Sequence, residues 1–471
     1  MSKSRVRRQA WRHASLSFLC AALAGCSFVP TYRRPEVSLP AHWSAEAPVS
    51  PQTSTTTTRW WEQFGSTELN DLVGRGLRDS FDLRMAVHRI EQARGRAEIA
   101  GAGRYPTLDV GLNGTRGSGG SSGSTQKRQA TLQGAFTPDL WGLQRALADS
   151  ADATAHSSRL DAAVVREALI ASIASTYFQI VALQERAQVA QLIADDAQKT
   201  LSLIQTQTRL GAASQLEVAQ QVNAVATFRA AVPLLRQQKS QAIGDLAVLV
   251  GMQPEELSLQ LMRLQDVKVP DVLAQAPSDV IARLPEVQTA EAQLQAANFD
   301  IGAARAAFLP TLSLTASYGS TLNPSQAVWS LAGAALQPLL DGGQRSGQLR
   351  VDRAHAQELV VGYRKAIAAA LQQVEAQMSA AGATRDAEAL DQDAVSSARK
   401  ALELARIRQT SGATDFLTVL LSQRALYQAE DAALQIRLQR LQATVGLYRA
   451  LGTGLDSQAT RVAAATPSNR P

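Results

Sequence analysis

The sequence is written twice. Tyr105-Pro106-Thr107-Leu108 recurs as Leu309-Pro310-Thr311-Leu312. The stretch before it, Phe81 to Arg104, matches Pro285 to Phe308, with Ala86, Ala93 and Ala100 returning as Ala290, Ala297 and Ala304. Pro138-Asp139-Leu140-Trp141-Gly142 recurs loosely as Pro338-Leu339-Leu340-Asp341-Gly342. Leu210-Gly211-Ala212 through Leu216 recurs as Ser411-Gly412-Ala413 through Leu417, and Val250-Gly251 as Leu451-Gly452. The order is the same both times, at offsets of 200 to 204 residues. Chance similarity between helical sequences does not hold several landmarks in one order, so any fold for this chain contains one structural unit built twice.

Each repeat has the same grammar: a helix ending before Pro, two β-segments, a very long helix, a Gly break and a second long helix. In Thr107–Asn113, Leu108, Val110 and Leu112 share one face and Thr107, Asp109 and Asn113 the other. In Thr311–Tyr318, Leu312, Leu314, Ala316 and Tyr318 oppose Thr311, Ser313, Thr315 and Ser317. Return strands follow at Gln129–Phe136, with Ala130, Leu132 and Phe136 on one face, and at Val328–Leu336, with Trp329, Leu331 and Ala335. This alternation fits a membrane barrel, with lipid outside and water inside, and equally a half-buried soluble sheet. The Gly- and Ser-rich stretch Gly114–Ser124 reads as a flexible, exposed loop. Four strands cannot close a barrel around water, so if they line a pore several chains must contribute; three would supply about twelve.

The long helices carry a seam of their own. From Leu169 a 4–3 spacing runs through Ile173, Thr176, Ile180, Leu183, Ala187, Ala190, Ala194, Ala197, Leu201, Ile204 and Thr208. No Pro or Gly interrupts Leu143 to Leu210, and about 65 residues at about 1.5 Å each give roughly 100 Å of helix. The seam is centred on Ala, which lets neighbouring helices approach closely. A second apolar set, Phe178, Val181, Val189, Leu192 and Ile193, lies off it, so the helix is expected to pack on two faces, as in a cylinder wall.

The formal charge of +6 has a local origin. Lys3, Arg5, Arg7, Arg8 and Arg12 lie in the first 25 residues with no acid among them, leaving 42 basic against 41 acidic residues elsewhere. No basic tract remains, so nothing points to nucleic acid. The basic start, the short apolar stretch Leu16–Ala22 and then Leu23-Ala24-Gly25-Cys26 read as a secretory signal that ends in a lipobox. Cys20 would leave with the signal, and Cys26 would be diacylated and N-palmitoylated, which leaves no pair for a disulfide. Two or three acyl chains anchor firmly where one does not. In the bacterial lipoprotein class that this signal resembles, an Asp after the Cys commonly retains the protein at the inner membrane, so Ser27 favours the outer one. Past the signal there is no run of 18 apolar residues, so a membrane crossing is expected to use strands.

Catalytic constellations are missing. His42, His88, His156 and His355 are scattered without metal-ligand spacing. There is no phosphate loop and no Gly-x-Ser-x-Gly elbow. Glu185, Asp195 and Asp196 read as members of solvated helix faces. The expectation is a protein that is not an enzyme and needs no cofactor or metal.

Taken together, Cys26-Ser27-Phe28-Val29-Pro30-Thr31-Tyr32-Arg33-Arg34-Pro35, Trp60-Trp61-Glu62-Gln63-Phe64, Leu69, Pro138–Gly142 and Leu447–Gly452 resemble the TolC-type outer-membrane efflux family, in its lipidated NodT-like branch. Val29 stands where the branch usually has Gly. The resemblance implies a mainly α fold with transmembrane β: two tandem repeats, each a β-hairpin plus long coiled-coil helices, assembled as a homotrimer with a 12-stranded barrel continuous with a periplasmic α-helical tunnel. It implies a passive outer-membrane duct for drugs or small toxic compounds, with a periplasmic adaptor protein, an inner-membrane pump driven by protons and outer-membrane lipid as partners. A type I protein-secretion duct and a non-pore coiled-coil envelope lipoprotein are the alternatives. The expected organisation is a signal at 1–25, an acylated anchor and linker at 26–58, repeat 1 at 59–254, repeat 2 at 255–455 and a disordered tail at 456–471. Strands are expected at about 107–115, 128–137, 311–320 and 327–337, and long helices at about 142–209, 214–250, 344–409 and 415–451. The family's tunnel narrows at its periplasmic tip, here the turns Arg209–Leu216 and Arg408–Leu417. Against the family pattern L-x-x-L-D-A-Q this chain reads Leu417-Thr418-Val419-Leu420-Leu421-Ser422-Gln423, with Leu421 in the place of the acid. The constriction is therefore expected to be mainly apolar, formed by Leu417 and Leu421, with Asp415 or Glu217 the nearest acids.

Overall fold

A computed structural model describes residues 28–44, 58–118, 124–272, 275–322 and 325–454. The signal segment, Cys26, the tip of the Gly- and Ser-rich loop and the tail 456–471 lie outside the described residues.

The elements come in two matched series. A single-turn helix at Trp60–Phe64 leads to α1 (Thr67–Asp79), α2 (Phe81–Ala102), β1 (Thr107–Ser118), β2 (Ser124–Phe136), α3 (Leu143–Arg209) and α4 (Gln215–Leu249). Then follow α5 (Pro277–Arg283), α6 (Pro285–Ala306), β3 (Thr311–Leu322), β4 (Ser325–Leu336), α7 (Gln344–Thr410) and α8 (Phe416–Ala450). Counterparts agree in length: α2 and α6 have 22 residues, β1 and β3 12, α3 and α7 67, α4 and α8 35. The helix ends explain why. α3 and α7 both stop in a left-handed glycine, Gly211 at φ +75° and Gly412 at φ +72°. Ala212 N–H then bonds the Gln207 carbonyl and Ala413 N–H the Arg408 carbonyl, each at 2.8 Å. These are Schellman turns, which satisfy carbonyls the helix end would otherwise orphan. α4 and α8 stop the same way at Gly251 and Gly452.

By contacts the chain forms two compact units. The first takes the described residues up to Val37, His88–Leu160 and Gln288–Ala366, and so holds the sheet. Its four strands lie in the order β1-β2-β3-β4, all antiparallel. Trp141 of the first repeat donates its indole N–H to the Pro310 carbonyl of the second at 2.6 Å, so landmarks 169 residues apart in sequence meet.

The second unit takes Ser38–Val87, Asp161–Val287 and the chain from Ile367 onward, and holds the main core. Trp60 is fully buried, stacks on Tyr448 at 5.1 Å and meets Trp61 and Phe64 edge-on. Phe64, Tyr177, Phe178, Ile173, Ile180 and Leu246 belong to this cluster. A second cluster joins Ala194, Ala197, Leu201 and Ile204 of α3 to Phe228, Phe416 and Leu420. The alanine seam is the buried line of α3: Ala190, Ala194 and Ala197 are at most 1% exposed. The second apolar set divides. Phe178 and Val181 enter the chain's own core, whereas Leu192 is 68% exposed, so it is not part of a packed face within one chain. α3 contains one stretch apolar enough to cross a membrane, but 56% of it is buried against the protein itself, which identifies a core helix. Glu185 is not on a solvated face. It is half-buried and accepts the Leu264 N–H at 2.6 Å, and burial pushes its carboxyl above the usual range.

Candidate functional site: the sheet face and the paired helical turns

Register decides what the strands can do. Val110 pairs with Leu132, Leu132 with Tyr318, and Tyr318 with Trp329. Residues directly opposite on neighbouring strands share a face. The apolar series of the four strands therefore merge into one surface: Leu108, Val110 and Leu112, then Ala130, Leu132 and Phe136, then Leu312, Leu314, Ala316 and Tyr318, then Trp329, Leu331 and Ala335. Nothing among the described residues covers most of it; Val110, Trp329 and Leu331 are 74%, 75% and 74% exposed. The other face carries Asp109, Asn113, Thr131, Gln133, Thr315, Ser317 and Ser330, with Ser317 and Ser330 hydroxyls 2.8 Å apart. Among the described residues β1 and β4 each pair on one side only. An exposed apolar sheet with two open edges is an aggregation hazard in water, and lipid together with further strands removes it.

The helical turns are built by caps. At the start of α4, Ser214 Oγ accepts the Glu217 N–H at 3.2 Å, while Glu217 Oε2 accepts the Ser214 N–H at 2.6 Å. This reciprocal box ties up Glu217. At the start of α8, Asp415 Oδ1 accepts the Thr418 N–H at 3.0 Å and the Thr418 hydroxyl at 2.6 Å. Those bonds, the hydroxyl first, hold the Asp415 carboxyl below the usual carboxylate range. Both acids are thus committed to helix starts, and a capping role accounts for them. Past the cap, Phe416, Val419 and Leu420 turn inward, whereas Leu417 and Leu421, one turn apart, are 43% and 55% exposed. In the first repeat Leu216 corresponds to Leu417 and is also exposed, while Gln220 stands at the place of Leu421. Leu210, at the end of α3, is 79% exposed. Each turn therefore displays leucines that its own helices leave unpacked. Cys26 lies outside the described residues.

Two features escaped the sequence reading. Gln221 is fully buried beneath the first turn and donates to the Ala197 carbonyl at 2.6 Å. Gln423, 2% exposed beneath the second, finds no partner for its amide among the described residues. A glutamine on a helix gives no sequence signal of whether it is buried or of what its amide meets.

The sequence profile described as outer membrane efflux protein matches residues 72–252 and 276–453, one span for each repeat. The pyoverdine export outer membrane protein OpmQ of Pseudomonas aeruginosa is 34% identical over 463 residues, 95% of this chain and 98% of that one. The toluene efflux pump outer membrane protein TtgC of Pseudomonas putida is 31% identical over 93% of this chain and 95% of its own. Among solved structures, the open state of the Neisseria gonorrhoeae MtrE outer membrane channel superposes with a TM-score of 0.83 at 26% identity, covering 92% of this chain and 99% of that one. These are outer-membrane components of efflux systems, and their family comprises transport channels rather than enzymes. A duplicated strand-pair-and-helix unit, an apolar sheet face with open edges and nearly full-length likeness in both repeats lead to one conclusion: this chain belongs to the outer membrane efflux protein family and is an outer-membrane efflux channel component.

Proposed function

We propose that three copies pool their sheets into one 12-stranded barrel, and that the paired helices continue it as a periplasmic tunnel. The observation that carries this is the uncovered apolar face spanning all four strands between two open edges. One chain has too few strands to enclose water. Mass and symmetry of the detergent-solubilised protein, together with single-channel recording, test the reading. A monomer without conductance would overturn it.

In this reading Cys26 carries the acyl anchor, and the leucines at the helical turns form the periplasmic constriction. Leu417 and Leu421, with Leu216 of the first repeat, would crowd a narrow tip with apolar side chains that exclude water, a hydrophobic gate. Leu421→Asp should raise conductance and cation preference; unchanged values would count against the gate. A periplasmic adaptor and an inner-membrane pump driven by protons complete the assembly, and the duct conducts what the pump delivers. The cargo is a small organic molecule rather than a secreted protein. Support comes from the relatives named for pyoverdine export at 34% and 35% identity and for toluene efflux at 31%. Loss of this gene should sensitise cells to small toxic compounds or retain a siderophore-type product, and leave protein secretion unchanged.

A further inference from the structure

Residues 28–34 run extended along α6. Arg305 Nη1 donates to the Phe28 carbonyl at 3.5 Å and Asn298 Nδ2 to the Pro30 carbonyl at 2.7 Å. Glu291 accepts the Tyr32 hydroxyl at 3.4 Å and Arg34 Nε at 3.0 Å, and pairs with Arg34 Nη2 as well. Between these bonds Val29 lies on Gly302, where a Cβ would stand 2.5 Å from Val29 Cγ2 and 2.8 Å from Val29 Cα. A glycine inside a helix is unfavourable relative to alanine, so Gly302 needs a reason, and the close approach of Val29 supplies it.

The direction of this strap is informative. As its numbers rise from Phe28 to Arg34, its partners on α6 fall from Arg305 to Glu291. The strap is antiparallel to α6, and its beginning lies at the helix end that leads through Pro310 to β3 at Thr311. Cys26 is two residues before Phe28, a reach of about 7 Å.

The receptor exists in one repeat only. α2 is the counterpart of α6, at an offset of 204 residues at both ends. There Val87 replaces Glu291, Arg94 replaces Asn298, Glu98 replaces Gly302 and Gly101 replaces Arg305. All four groups that hold the strap are lost, and Glu98 would occupy the space that Val29 fills. The alanine landmarks Ala86, Ala93 and Ala100, in contrast, are kept as Ala290, Ala297 and Ala304. The two helices thus share a packing face and differ where the strap docks.

We propose that α6 carries a dedicated docking site for the N-terminal strap, present in one of the two repeats, which fastens the acylated Cys26 at the rim where β3 enters the membrane. The acyl chains are then held beside a chosen helix of each chain, on a short leash, instead of trailing on a free linker. The purpose rests on the acylation of Cys26 proposed above; the contacts do not.

Two variant sets test this in outer-membrane vesicles of the full chain. Arg34→Lys should be joined by a zero-length carbodiimide to Glu291, the acid that Arg34 pairs with, whereas the same variant with Glu291→Val and Val87→Glu, which moves the acid to the corresponding place on α2, should not be joined to residue 87. Gly302→Glu, and independently Arg34→Ala on the strap itself, should expose the Arg33–Arg34 bond, so that trypsin releases the acylated N-terminal peptide at least tenfold faster than from the unaltered protein. No cross-link to Glu291, equal cross-linking to both helices, or equal trypsin rates would overturn the docking site. A mature N-terminus without acyl groups in mass spectrometry would overturn the anchoring role, and channel conductance reads the pore independently of both.

Discussion

Glu388 on α7 is 7% exposed and faces two arginines of α8. Arg437 Nη1 donates to it at 2.9 Å and Arg440 Nη1 approaches its other oxygen, while Arg437 Nη2 also donates to the Val267 carbonyl at 2.5 Å. The guanidinium side chains are 18% and 22% exposed. Replacing Glu388 with Leu leaves two largely buried cations without a counter-charge, which costs about 3–5 kcal/mol. Glu388→Gln keeps the shape but offers one carbonyl acceptor to two guanidinium groups and sets an amide N–H2 against the other, so it loses one bond at about 1–3 kcal/mol and the counter-charge besides. Converting the trio to Glu388→Leu, Arg437→Met and Arg440→Met removes every buried charge. Only the Val267 carbonyl then loses a partner, at about 1–3 kcal/mol, and the new apolar packing offsets part of this. The triple variant should therefore be more stable than the single Glu388→Leu variant. Native-state hydrogen exchange of the α7 and α8 segments around residues 388 and 437 reads local opening directly. At about 1.4 kcal/mol per factor of ten, Glu388→Leu should speed exchange there by roughly 100- to 4,000-fold. Exchange within tenfold of the parent, or a triple variant that opens faster than the single one, would refute the assignment of this cluster as a fastener between the two helices.

The sheet register makes a paired prediction: Leu331→Arg, on the apolar face, should cost about 2–4 kcal/mol if it sits at mid-bilayer and deplete the folded protein in outer-membrane fractions, whereas Ser330→Arg on the opposite face should be inserted normally. Gly251 lies at φ +74° and a Cβ there would stand 2.2 Å from the Asp79 carbonyl oxygen. Gly251→Ala should thus cost at least about 1–2 kcal/mol from the left-handed backbone alone, seen as faster exchange in α1 and α4. Asp415 has a carboxyl held below its ordinary value, so its capping contribution is complete above about pH 4, where an unfolded Asp titrates, and is lost as pH falls further through the depressed value. Exchange at the α7–α8 turn should be flat with pH between about 7 and 5 once the intrinsic rate is removed, and should rise below that ordinary value. Asp415→Asn, which can still accept the Thr418 N–H, should abolish the acid-range rise; a persistent rise would refute the cap as its cause.

How much of this was legible beforehand differs from element to element. The seam Leu169–Ile204 could be read as buried because a 3.5-residue apolar period has one low-energy outcome on a helix, a line turned toward another helix. The turns after Arg209 and Thr410 could be read because Gly in a helix stop has a local steric cause. Leu417 and Leu421 could be picked out only by resemblance: an apolar residue on a helix has the same spacing whether it packs inward like Leu420 or stands exposed. Asp415 and Glu217 could be picked out as the acids nearest the turns, but not as the helix caps that their hydrogen bonds make of them. Glu185 read as solvated because sequence does not show that Leu264, 79 residues away, brings an N–H to it.

The sequence by itself determined the duplication, the period of each strand and helix, and their ends, because these follow from sterics within a few residues. It could not determine that β2 pairs with β3 across nearly 200 residues, the pairing that merges four separate apolar stripes into one lipid-ready face. Nor could it determine that a glycine on α6 receives the strap while its counterpart on α2 cannot. Those outcomes depend on which surfaces meet, and contact between distant segments is a property of the folded chain, where register and close approach are set by everything packed around them.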